Sequence, residues 1–383
     1  MALIVEKCKE ADLEALGKVW SATYRNGEPF TREADKPRMS EDFVAKMDGV
    51  AVGGFGVCPM TATRGPAEYQ CAGILAVAVA PHVRGGGIGG EMMRFGVREY
   101  FDRGYELASL YAFKDSFYRG FGYETTGLRY RISVDMNVFP RVKATLPIRQ
   151  LGADSIEVIR YCYTEFAHRR SGLNLRHGIQ WDRILPKESL RTVYVAGDPV
   201  EAYAIVQHKV EFWNDQEIVE FVWTTKRGYD SILSVFAGIG INKKNMIWTE
   251  PSDSPFRARY WDHDANVTGL TPQIMFRVVN ARKALEGLKP QATGTFTVEI
   301  SDEVVPENNG PWRVTFSPEG VQVEPCKSAG FKMDIRQFTQ AFMGEPSLAT
   351  LSLNDLVEIK DTAEVREAEL LLTPSPTVCF EMF

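Results

Sequence analysis

Glycines at 85, 86, 87 and 89 stand between an apolar run and an amphipathic stretch, and no other part of this 383-residue sequence carries as much chemistry. The unbroken apolar run from Ile74 to Ala80 predicts a buried strand, and Pro81 ends it. Beyond the turn from Arg84 to Gly90, the residues Ile88, Met92 and Phe95 recur at helical spacing, so a helix runs on toward Arg103. Strand, glycine turn and helix together make an anion cradle. Without Cβ atoms the backbone N–H groups at the helix N-terminus are unobstructed, and both they and the helix dipole favour a pyrophosphate.

Two motifs overlap in this window. Gly85-x-Gly87-x-x-Gly90 fits the dinucleotide fingerprint, with Asp115 after the next strand as a ribose-binding acid. That fingerprint should open a βαβ domain, whereas roughly seventy residues of helix and hairpin come first here, and Pro81-His82-Val83-Arg84 separates strand from glycines. The second match, Arg84-x-x-Gly87-x-Gly89, resembles the acetyl-CoA signature of the GCN5-related N-acetyltransferases (GNAT), where that turn holds the pantetheine pyrophosphate. Acetyl-CoA is the preferred ligand on this pattern; a turn that binds nothing is the third reading. No Lys-Ser or Lys-Thr follows the glycines, which excludes a Walker motif.

Acetylation of an amine by a thioester needs a held carbonyl, a base for the ammonium and an acid for the departing thiolate. Tyr118 is the candidate acid, because Ser116-Phe-Tyr-Arg-Gly-Phe-Gly-Tyr123 lies one strand past the turn, where a pantetheine thiol should end. A phenol is a suitable acid toward a thiolate. The alternative is that Phe117, Tyr118, Phe121 and Tyr123 form an aromatic cluster under a sheet. No histidine is obviously placed as base: His82 adjoins the turn, while His168, His177, His208 and His263 fall in the middle of the chain. The final segment ends with Val378, Phe380, Met382 and Phe383, where a polar, frayed end is usual. Such a tail should be buried, and a buried terminal carboxylate requires a partner or a task.

The elements that must position these groups follow in order. A strand at Ala2–Glu6, a helix at Ala11–Tyr24, a polar loop, and a hairpin of Phe43–Lys46 and Val50–Thr61 about Asp48-Gly49 precede the glycine turn; a strand at Leu107–Phe113 follows it. From about Leu146 to Leu288 the same order returns with helices near Asp154–His168 and Tyr229–Ile239 and strands at Thr192–Ala196, Val200–Val210, Glu217–Trp223 and Met246–Thr249. Nothing at Thr224-Thr-Lys-Arg-Gly228 matches the glycine motif, so this is a degenerate second copy. From about Pro290 the pattern changes to strands with amphipathic helices at Ile335–Met343 and Ala363–Leu372, resembling a sterol-carrier-like module. The expectation is an α/β and α+β chain with regions at 1–145, 146–289 and 290–383.

The bulk numbers narrow the function. A net charge of −6 argues against nucleic acid as the main partner and suits a cationic substrate. The six cysteines show no CxxC spacing, which supports neither a disulfide framework nor a zinc site, and no metal is expected. The first ten residues become charged after five, and no run approaches a membrane span, so a cytoplasmic protein is expected.

Tandem acetyltransferase-like halves, a sterol-carrier-like third region, Tyr118-x-x-Phe121-Gly122-Tyr123 and a terminal Phe together resemble the Eis (enhanced intracellular survival) family over the whole chain. The resemblance implies Tyr118 as general acid and the Phe383 carboxylate as general base. It implies that Val77, Ala78 and Val79 bind acetyl-CoA through their backbone, with the turn Arg84, Gly85, Gly86, Gly87, Ile88, Gly89 and Gly90. It implies primary amines of polycationic molecules, aminoglycosides included, as substrates, and a homo-oligomer, trimer or hexamer. Trp20, Tyr24, Glu28, Phe30 and Glu381 are candidates for holding an ammonium by charge or cation–π contact. The rival activities are acetylation of protein or peptide lysines, and non-catalytic binding of an acyl-CoA or lipid.

Overall fold

The computed structural model describes residues 2–28, 40–208, 211–262 and 266–381. The first region runs β1 (Leu3–Lys7), α1 (Leu13–Tyr24), β2 (Glu41–Met47), β3 (Val50–Arg64), β4 (Ala67–Val79), α2 (Ile88–Asp102), β5 (Leu107–Leu110), α3 (Asp115–Arg119) and β6 (Glu124–Asp135). Asp48 and Gly49 take φ of 49° and 83°, the left-handed pair that a tight two-residue hairpin needs, and they join Met47 to Val50 in register. α2 buries Ile88, Met92, Met93, Val97 and Tyr100 on one face, as the helical spacing predicts.

The second region runs β7 (Ile148–Leu151), α4 (Ile156–Ala167), β8 (Ser171–Asn174), α5 (Ile179–Ile184), β9 (Arg191–Ala196), β10 (Ala202–Gln207), β11 (Gln216–Trp223), α6 (Lys226–Ile239), β12 (Asn245–Pro251), α7 (Pro255–Arg259) and β13 (Asn266–Val278). Among the described residues thirteen strands make one sheet, ordered β1-β2-β3-β4-β5-β13-β6-β12-β11-β10-β9-β7, with β8 beside β3. This order is a palindrome. β1 corresponds to β7, β2 to β9, β3 to β10, β4 to β11, β5 to β12 and β6 to β13; α2 and α6 make equivalent crossovers between parallel strands. The closing strand of each half sits in the other half's sheet: β13 pairs with β5, and β6 with β12. The halves are therefore tandem copies of one α/β unit, interlocked by exchanged strands. β13 completes the repeat, and sequence periodicity did not reveal it.

After α8 (Ala281–Gly287), the third region runs β14 (Gly294–Ser301), β15 (Gly310–Ser317), β16 (Gly320–Pro325), β17 (Phe331–Asp334), α9 (Ile335–Met343), α10 (Leu348–Leu353), β18 (Glu358–Ile359) and α11 (Thr362–Leu371). Its five strands are ordered β16-β15-β14-β17-β18. α9 buries Ile335, Phe338, Ala341, Phe342 and Met343, and these join one continuous apolar core with Met60 of β3 and Cys71 of β4. The chain then turns back into the first two regions. Ser171 donates its N–H to the Pro376 carbonyl at 2.9 Å and accepts from the Val378 N–H at 2.9 Å, and Thr377, Val378 and Cys379 are buried. Gly127 makes room for this tail: a Cβ there would lie 1.9 Å from the Thr377 carbonyl oxygen.

Candidate active site

The site begins with a flaw in β4. Gly54 pairs with Ala78 and Gly56 with Leu75, so Ala76 and Val77 bulge opposite Phe55, and Ala76 takes a φ of 51°. The parallel ladder between β4 and β5 stops at Ile74 and Leu110. Past that point β4 continues to Val79 paired with β3 on one edge only. A wedge opens between the strands, and the β4 backbone facing it has no strand partner. α1 braces the bulge: the Trp20 indole N–H donates to the Ala76 carbonyl at 2.8 Å, and the Tyr24 hydroxyl donates to the Val77 carbonyl at 2.5 Å. Arg84 Nε donates to the Val79 carbonyl at 3.0 Å, while the Ala80 N–H bonds back to Val52 of β3. Backbone groups alternate along a strand, so Val79 points its own toward the wedge.

The glycine turn closes one end. Gly87 is the N-cap of α2 with a φ of 81°, and no side chain caps the helix, so its first N–H groups are open to a ligand. The second half shows the contrast. Thr225 caps α6 by accepting the Gly228 N–H at 3.0 Å, and Glu201 in turn holds the Thr225 hydroxyl at 2.6 Å and the Arg227 guanidinium. There the corresponding interior is packed with Phe221, Trp223 and Tyr229, ring centroids 4.8–5.1 Å apart, and with Trp248 and Phe256, 4.9 Å apart. The first half keeps an open cavity of about 620 Å³ instead. Val77, Ala78, Val79, Arg84, Gly85, Gly87, Ile88, Gly89 and Gly90 line it, joined by Thr23, Tyr24, Val83, Phe113 and Phe117. Gly86 belongs to the same turn but does not line the cavity.

Tyr118 stands behind the far wall. Its ring is buried and packs edge-on to Phe113 at 5.7 Å and to Phe117 at 5.0 Å, both of which face the cavity. Burial holds the phenol above its ordinary value, and the neighbouring Tyr24 adds to this, so it stays protonated throughout the neutral range. Among the described residues no hydrogen bond holds its hydroxyl. The Tyr-x-x-Phe-Gly-Tyr turn is fixed from outside: buried Arg277 donates to the Phe121 carbonyl at 2.6 Å, and the guanidinium fills the space beside Gly122, where a Cβ would meet it at 1.6 Å.

The chain's tail arrives beside β5. The Tyr111 hydroxyl, one residue past β5, donates to the Glu381 carbonyl at 2.6 Å. Glu381, expected to face a substrate ammonium, is instead bound by buried Arg176, whose Nε donates to it at 2.6 Å. The same guanidinium holds Glu220 with bonds of 3.0 and 2.5 Å and stacks over Tyr163 at 4.2 Å. Burial raises the Glu381 carboxyl above the usual range against the pull of Arg176. Burial alone would lower the guanidinium, but Glu220 and Glu381 hold it well above its ordinary value. Sequence reasoning missed Arg176, Glu220 and Arg277, because their partners lie 44 to 205 positions away in one case and 25 to 156 in the other.

The remaining candidates separate. Trp20 is buried under the bulge and does not line the cavity. Glu28 is exposed, and its carbonyl accepts from the Ser21 hydroxyl at 2.5 Å. Phe30 and Phe383 lie outside the described residues. No group of three or more His, Cys, Asp or Glu side chains among the described residues is arranged to hold a metal ion, and no helix among them is long and apolar enough to cross a membrane.

Residues 5–126 match the acetyltransferase (GNAT) domain and residues 277–380 the sterol carrier protein domain. The chain is 23% identical over 330 residues to the N-acetyltransferase Eis of Mycobacterium bovis, covering 80% of this chain and 79% of that one. In three dimensions it superposes on a probable N-acyltransferase from Enterococcus faecalis with a TM-score of 0.88 at 22% identity, over the whole of both chains. The Eis1 protein of Mycobacterium abscessus gives 0.81 at 17% identity, again over both whole chains. The chain thus carries a GNAT acetyltransferase domain and a sterol carrier protein domain, and over most of its length it is similar to the Eis N-acetyltransferases.

Proposed function

We propose that the protein moves the acetyl group of acetyl-CoA onto a primary amine by direct attack. The observation that carries this reading is the wedge: an uncapped helix N-terminus at one end, a strand edge without a strand partner along it, and at the other a protonated phenol buried just behind Phe113 and Phe117. The pyrophosphate of acetyl-CoA fits the N–H groups from Gly85 to Gly90. The pantetheine amides fit the backbone of Val77 and Val79, as an added strand would, taking over the carbonyls that Tyr24 and Arg84 hold in their absence.

In the reaction the amine nitrogen attacks the thioester carbonyl, the C–N bond forms and the C–S bond breaks. Tyr118 gives its proton to the departing thiolate, and the lost ammonium proton goes to a base. Under the resemblance that base is the terminal carboxylate of Phe383. The tail's path supports it, since the described chain is already fastened beside β5 at Glu381. The acceptor in this reading is a small polycation of the aminoglycoside kind; the net charge of −6 agrees. The same reading divides the chain near residues 145 and 289, has it act in the cytoplasm, and makes it a homo-oligomer.

Release of free thiol from acetyl-CoA, followed with aminoglycosides, polyamines and lysine peptides side by side, tests the proposal. Turnover is expected to be fastest with the polycations. CoA binding without thiol release for any amine would overturn it in favour of a binding protein.

A further inference from the structure

Arg277 belongs to β13, the strand that the second half inserts beside β5. Its side chain is wholly buried and forms two charge-assisted bonds: Nη1 to the Phe121 carbonyl at 2.6 Å and Nη2 to Asp302 Oδ2 at 2.6 Å. Asp302, in the sterol carrier domain, is itself held in place. It accepts from Val304 N–H at 2.9 Å, Val305 N–H at 3.1 Å and Asn308 Nδ2 at 2.9 Å. Asn308 in turn donates to the Val279 carbonyl at the end of β13 and accepts from the Ala281 N–H. On the other side, Phe121 and Tyr123 both donate their N–H groups to the Tyr118 carbonyl. A rigid path therefore runs from a carboxylate in the third domain, through a guanidinium from the second half, to the turn that carries Tyr118.

We infer that the Arg277–Asp302 pair is a positioning device for Tyr118, through which the sterol carrier domain takes part in acetyl transfer. This rests on Tyr118 acting as the acid. A phenol that must reach a thiolate tolerates little displacement, and a shift of about 1 Å at a catalytic group is enough for a large loss of rate. Tyr118 has only ring packing to hold its side chain, so the backbone of its turn must be set by other groups, and Arg277 also excludes any side chain at Gly122.

A double-mutant cycle tests this. Removing Arg277 alone would leave Asp302 buried without its cation, so the pair is removed together as Arg277→Met with Asp302→Asn, which keeps the site neutral. With the full-length enzyme, kcat is expected to fall about tenfold while KM for acetyl-CoA stays within about twofold. Combined with Tyr118→Phe, the pair should cost nothing further, because its effect acts through the hydroxyl that is already gone. An additive loss in that background, or a rise in KM for acetyl-CoA with kcat unchanged, would overturn the positioning role and leave the acid assignment standing. A fully active Tyr118→Phe enzyme would overturn the acid assignment and this role with it.

Discussion

The indole of Trp20 and the carbonyl of Ala76 are 56 positions apart in sequence and 2.8 Å apart in space, and their hydrogen bond fixes the bulge that opens the site. Ala76 has a φ of 51°, which an alanine adopts only under constraint. Trp20→Phe keeps most of the buried bulk and removes the donor. The expected cost is about 1–3 kcal/mol of stability, read from denaturant unfolding, with a KM for acetyl-CoA raised several-fold. An unchanged KM would mean that β5 and the turn hold the wedge open without help from α1.

Gly87 can be tested without steric confusion. Nothing lies within 4 Å of the position a Cβ would take, so Gly87→Ala strains only the backbone, by about 1–2 kcal/mol. Because that strain falls on the residue that presents the helix N-terminus, calorimetry should show CoA binding weakened about tenfold or more. Dephosphorylated pantetheine, which lacks the pyrophosphate, should lose little. Equal losses for both ligands would place the pyrophosphate elsewhere.

Arg176 and Glu381 should respond unequally. One guanidinium serves two buried carboxylates, so Arg176→Met strands both and should cost about 3–5 kcal/mol. Glu381→Gln leaves Arg176 paired with Glu220 and should cost about 1 kcal/mol or less at pH 7. The sign of the pH effect follows from the raised carboxyl of Glu381. The folded state holds that proton more tightly than the unfolded chain, so this group's stabilising contribution is present below the ordinary carboxylate range and is lost as pH rises through the raised value. The variant should lack that falling component above the ordinary carboxylate range. A parallel stability curve for both proteins would contradict it.

The tail can be displaced by one methyl group. In Gly127→Ala the new Cβ would collide with the Thr377 carbonyl, and Gly127 also has a φ of 74°. The segment from Thr373 to Glu381 should loosen, making it open to limited proteolysis while α9 and β14 keep their protection. Resistance equal to wild type would show that the two chains can move apart without releasing the tail.

What the sequence disclosed was local. The glycine turn, the Asp48-Gly49 hairpin and the helix at Ile335–Met343 all have short-range signatures, and the last is found at those residues. The bulge was hidden because Ile74 to Ala80 reads as an unbroken apolar run, and one alanine in a left-handed conformation leaves no mark in composition. β13 was hidden for a related reason: it pairs with β5 and β6 more than 130 positions earlier, so what makes it a strand is a slot created by distant chain. The tail's apolar side chains did predict burial through Cys379, but not that Arg176 would claim Glu381. Charges of opposite sign far apart in a sequence carry no pairing signal.

The central claim is that Tyr118 protonates the thiolate at the end of this wedge, and Tyr118→Phe tests it most directly. The substitution removes one oxygen from a ring whose packing against Phe113 and Phe117 is otherwise kept. Thiol release from acetyl-CoA with a saturating amine should fall about a hundredfold or more while CoA affinity stays unchanged. Full turnover in the phenylalanine variant would contradict the account, since the buried phenol would then be a packing residue and the acid would be some other group.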